Sequence, residues 1–154
     1  MKLLVFVCSI ILATVSCHQH EPIFEKMETR FKANEAAINN LVSILNDSKA
    51  DSNFLEGGIC KKGSEFNSNI SPKLNALDLR NVCLQYGSCK PYGKIFIFET
   101  GWISKDSVSI VHNSCDTVQT KKGYYMKDEN SNEIWGLGNS WQIIKIIKYL
   151  TRKQ

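Results

Sequence analysis

From Pro22 to Leu45 the chain places Phe24, Met27, Phe31, Asn34, Ile38, Leu41 and Leu45 at alternating steps of three and four residues. Ala37, Val42 and Ile44 widen the same stripe. This is the period of an α-helix with one apolar face. Pro22 suits a first helical turn, where its missing N–H costs nothing. Glu21, Glu25 and Glu28 complement the positive end of the helix dipole, and no glycine interrupts the run. Such a face must be covered. A second copy could cover it as a coiled coil of about three heptads, with Asn34 setting the register at a core position. Three heptads are marginal for a free coil, so docking onto the chain's own domain is favoured.

The surface for that docking lies downstream. Residues 46–53 are polar and aperiodic and read as a linker; Phe54 and Leu55 then return to core character, and Gly57-Gly58 makes a turn. A second helix is expected from about Pro72 to Tyr86, with Ser71 as its cap, Leu74, Leu77, Val82 and Tyr86 on its apolar side and Gly87 as its stop. After Gly93 the pattern changes to strand. Residues 94–99 are rich in β-branched and aromatic side chains, and residues 107–111 alternate polar with apolar. Gly123-Tyr124-Tyr125-Met126 and Glu133-Ile134-Trp135 flank the turn-rich segment 128–132 as in a hairpin. Gly136-Leu137-Gly138 reads as a turn before a closing segment, Trp141 to Tyr149. Its lysines at a three-residue step fit a membrane-surface helix, but four isoleucines favour a strand. The expected fold is α+β: an N-terminal amphipathic helix and a second short helix packed on a small antiparallel sheet.

The first 17 residues belong to a different problem. Lys2 precedes the stretch Leu3 to Val15, which is apolar except for Ser9 and Thr14. That is the length of a signal-peptide core and too short for a membrane span, which needs roughly 20 apolar residues. The expected organisation is a signal peptide at 1–17, a polar spacer, amphipathic helix and linker at 18–53, and an α+β domain at 54–154. Removing the leader leaves roughly 137 residues, enough for a core of their own.

Export makes the cysteines informative. Of six, Cys8 leaves with the leader and Cys17 stands at its end, leaving Cys60, Cys83, Cys89 and Cys115 in the body. Four cysteines admit three pairings. Cys83 with Cys89 would close a small loop over Gly87 and leave Cys60 with Cys115, a pairing slightly preferred here. A zinc site is the rival use, but the chain has no Cys-x-x-Cys knuckle, and exported thiols oxidise.

Catalytic chemistry finds little support. His112 is the one histidine of the body, and no serine or free cysteine is tied to it by spacing. Glu99, Asp106, Asp116 and Glu133 are candidate carboxylates, yet their spacing selects no acid–base pair. The glycines make no phosphate-binding fingerprint, so no cofactor is expected. Lys121-Lys122 and the group Lys145, Lys148, Arg152, Lys153 are modest clusters in a chain of net charge +4, short of the basic stripe that nucleic acid demands. Cleavage after Cys17 would expose His18-Gln19-His20, whose amine, amides and His20 form a square-planar set for Cu(II) or Ni(II). The simpler reading of His18 and His20 is a polar spacer. Tyr92, Trp102, Tyr124, Tyr125, Trp135, Trp141 and Tyr149 exceed what a small sheet must bury, which hints at a binding surface.

Leu12-Ala13-Thr14-Val15-Ser16-Cys17 resembles the lipobox of bacterial lipoproteins, in which the cysteine is acylated and becomes the first residue; Thr14 stands where that family usually has an aliphatic residue. With a charged helix, strands around Lys122-Gly123-Tyr124-Tyr125 and a closing Trp141 strand, the chain looks like small uncharacterised lipoproteins common in bacteria. The resemblance implies lipidation at Cys17 and a place at a membrane surface facing the periplasm or the cell exterior. It supplies no catalytic residues. The expected function is a non-enzymatic envelope lipoprotein that binds an envelope or exogenous protein; inhibition of a hostile enzyme such as a lysozyme is one form of this. The alternative is a soluble, secreted, disulfide-stabilised effector, inhibitor or immunity protein with no anchor. Two sequons, at Asn46 and Asn69, keep a eukaryotic secretory route open.

Overall fold

A computed structural model describes residues 22–47, 60–87, 89, 93–103, 107–129 and 131–146. Helix α1 (Pro22–Asn46) matches the amphipathic run. It is followed by strand β1 (Cys60–Lys62), a 3-10 turn (Gly63–Glu65) and helix α2 (Ser71–Ala76). The chain then builds β2 (Leu79–Tyr86), β3 (Lys94–Thr100), β4 (Ser107–Asn113), β5 (Tyr125–Lys127), β6 (Glu133–Gly138) and β7 (Trp141–Ile146). These seven strands form one antiparallel sheet in the order β1-β2-β3-β4-β7-β6-β5. The fold is α+β.

Residues directly opposite in an antiparallel sheet share a face. One row therefore runs across six strands: Val82, Phe98, Ile110, Ile143, Trp135 and Tyr125. The next row holds Leu84, Phe96, His112 and Trp141. Helix α1 covers this face. Phe24 stacks on Trp135 at 5.5 Å between ring centroids, and Phe31 meets Trp141 at 5.2 Å. Phe24, Met27, Phe31, Ile38, Leu41, Val42 and Leu45 are all buried in one core with the sheet residues. The stripe is thus satisfied within the chain. Asn34, the register-setting candidate, instead donates its side-chain amide to the Arg30 carbonyl at 2.8 Å.

The second helix is shorter than the sequence suggests. It ends at Ala76, and the residues expected to continue it, from Leu79 to Tyr86, form β2. Leu77 and Asp78 make the break, with Asp78 at φ +53 and its carbonyl accepting Gly101 N–H at 2.9 Å. Val82 and Leu84 then alternate with half-exposed Asn81 and Cys83, a two-residue period that the helical reading had absorbed. Ser71 is not the cap either. That position is Ile70, and the Asn67 carboxamide oxygen accepts the N–H groups of Asn69 and Ile70.

The segment Gly136-Leu137-Gly138 also departs from expectation, lying within β6. The turn is Asn139-Ser140, at φ +51 and +68, the left-handed pair of a tight two-residue hairpin. Glycine at 136 answers a different need. A Cβ there would sit 2.1 Å from the Lys121 carbonyl oxygen and 2.6 Å from that of Gln119, because the 116–122 loop lies against β6. The closing segment is strand through Ile146; residues 147–149 lie outside the described residues.

Candidate functional site

The four body cysteines pair as Cys60–Cys83 and Cys89–Cys115. This corrects the preferred pairing of Cys83 with Cys89. Cys60 and Cys83 are direct cross-strand partners on β1 and β2, so their side chains share one face of the sheet. Cys89 lies beyond β2, beside Cys115 in the turn that follows β4: a Cβ on Gly93 would fall within 2.4 Å of both Cys89 Sγ and Cys115 Sγ. Sequence spacing could not see either neighbour. Two disulfides point to an oxidising compartment, and no helix among the described residues is long and apolar enough to cross a membrane. Cys17, His18 and His20 lie outside the described residues, as do Asp106, Tyr92 and Tyr149.

His112 sits on β4 with Phe96 on one side and Trp141 on the other, its ring meeting Trp141 edge-on at 4.8 Å. Its Nδ1 is buried without a hydrogen-bond partner. Burial lowers its pKa below the ordinary 6.5, so the imidazole is neutral at neutral pH. Its cross-strand neighbours, Phe96 and Trp141, are both aromatic. Asn113, adjacent in sequence, accepts Cys115 N–H at 3.0 Å.

The carboxylates are dispersed. Glu99 takes a short hydrogen bond from the Asn81 side chain on the face opposite α1. Asp116 Oδ1 accepts the N–H groups of Val118 and Gln119 at 2.9 and 2.8 Å, fixing the loop before β5. Glu133 faces the other way, opposite Lys127 and Lys145 in a row with Val108. Its side chain is buried. One oxygen accepts Tyr125 O–H at 3.2 Å, and the other lies 3.6 Å from the Lys145 ammonium. Among the described residues no three His, Cys, Asp or Glu side chains group in a way that could hold a metal ion.

The clearest surface feature is the β5–β6 edge. Phe24, Tyr125 and Trp135 form an aromatic trio, with Phe24 to Tyr125 at 6.3 Å edge-on and Tyr125 to Trp135 at 5.9 Å. Tyr125 is 49% exposed. Val118, on the loop packed against β6, is 63% exposed. Of the other candidate aromatics, Trp102 and Trp141 are buried and Tyr124 is half-buried. Trp102 donates its indole N–H to the Leu77 carbonyl at 2.8 Å and carries the Arg30 guanidinium 5.3 Å above its ring. The Tyr125–Glu133–Lys145 group escaped the sequence reading because it depends on the β6–β7 register. Asn139-Ser140 was the available signal for that register. Comparison with protein families, with characterised proteins and with solved structures finds no match to this chain.

Proposed function

We propose that this protein is an exported, non-enzymatic binding protein, tethered to a membrane surface through an acylated Cys17. The observation that carries the reading is the cysteine pairing. The four body cysteines satisfy one another, which leaves Cys17 as the cysteine beyond the leader core that these bridges do not use. An odd cysteine in an exported chain calls for its own explanation, and the lipobox-like residues before Cys17 provide one. The buried, aromatic setting of His112 and the separation of Glu99 from Glu133 on opposite faces favour a binding role over catalysis. A pinned loop with an exposed Val118 and a half-exposed Tyr125 fits such a role, since rigid apolar and aromatic anchors bind at low entropic cost. In the native host, Cys17→Ala should move the protein from the membrane fraction to the soluble exported fraction. Unchanged membrane association of that variant would refute the anchor.

The soluble secreted alternative draws on Asn69, which is exposed on the turn before α2 with its sequon serine, Ser71, in the first turn of that helix. A glycan on Asn69 in the mature protein would favour that route.

A further inference from the structure

We infer that the β5–β6 edge, with Tyr125 and Trp135 at its centre, rests in the headgroup region of the bilayer that holds the anchor; the inference builds on the Cys17 tether proposed above. Helix α1 begins at Pro22, five residues after Cys17. Even fully extended, five residues span about 18 Å, so the start of α1 stays within that distance of the membrane surface. Phe24, in the first turn of α1, touches both Trp135 and Tyr125. The tether therefore keeps this trio near the bilayer.

The residue types suit the place. Tyr and Trp present an apolar body and a polar tip, which is why they collect where hydrocarbon meets water. Tyr125 is half-exposed with its hydroxyl on Glu133. Charge does not select the lipid. Over residues 116–129, Lys121, Lys122 and Lys127 are balanced by Asp116, Asp128 and Glu129. The contact is enforced by the anchor's high local concentration and needs no anionic headgroup.

The three tryptophans make the test direct. Trp102 is 4% exposed and Trp141 0%, whereas Trp135 is only partly buried. The acylated full-length mature protein, purified from host membranes, would be reconstituted into phosphatidylcholine vesicles carrying bromine near the headgroup end of their acyl chains. Vesicle flotation would be measured on the same samples. The expected result is quenched tryptophan emission relative to unbrominated vesicles, with the quenching lost in Trp135→Phe, which keeps the stack on Phe24. Protein that floats with the vesicles but is not quenched would overturn the proposal while sparing the anchor, and would leave this edge to a protein partner. Protein that fails to float would overturn both.

Discussion

The indole N–H of Trp141 donates to the side-chain oxygen of Asn39 at 2.9 Å, joining β7 to helix α1 across 102 residues of chain. Trp141 is fully buried and touches Phe31, Phe98 and His112, so this hydrogen bond fixes how the helix lies on the sheet. Removing the acceptor leaves a buried donor unpaired, at a cost of about 1–3 kcal/mol. Asn39→Ala should lower the unfolding free energy by that amount in urea titration. In a Trp141→Phe background the same substitution should cost much less, because the donor is gone.

His112 makes the fold sensitive to acid. Its pKa is lowered in the folded state by burial, so the unfolded chain binds the proton more readily. The stability that goes with a neutral imidazole is fully present above 6.5 and is lost as pH falls below that value towards the lowered folded pKa. The urea midpoint should therefore drop between pH 7 and pH 5. His112→Phe should flatten that part of the profile, and an unchanged drop in the variant would assign the effect elsewhere.

Glu133 and Lys145 form an ion pair with side chains only 9% and 12% exposed. Breaking a buried pair from one side strands a charge, at about 3–5 kcal/mol. Lys145→Met should be destabilising on that scale in thermal or urea unfolding. Adding Glu133→Leu to it should recover most of the loss, since no charge is then left buried without its partner.

The disulfides close stretches of 23 and 26 residues. Loops of that size are worth about 3 kcal/mol each, largely through the unfolded chain. Removing one bridge by paired Cys→Ala substitution should lower the melting temperature, and reducing the remaining bridge in that variant should lower it again. Non-reducing digestion should yield peptides joining Cys60 to Cys83 and Cys89 to Cys115; a Cys83–Cys89 peptide would contradict the fold.

What could be read in the sequence follows physical range. Helix α1 was legible because seven stripe positions repeat over six turns, and the strands around Phe96 and Ile110 because their residue types persist for six or seven positions. The segment after Ala76 reads as helix because Leu77, Val82 and Tyr86 fit a helical step, whereas Asp78 turns the chain through a left-handed conformation into β2. The disulfide pairing and the Tyr125–Glu133–Lys145 group were illegible for another reason. Both depend on which strands become neighbours, β1 with β2 and β6 with β7, and local pattern does not encode that.

The most direct test of the Cys17 anchor is the intact mass of the mature protein from its native host, with its N-terminal peptide sequenced. The expected chain begins at Cys17, carries the added mass of acyl groups on that residue and contains two disulfides. An unmodified chain, beginning at His18 or retaining a free Cys17, would contradict the anchor.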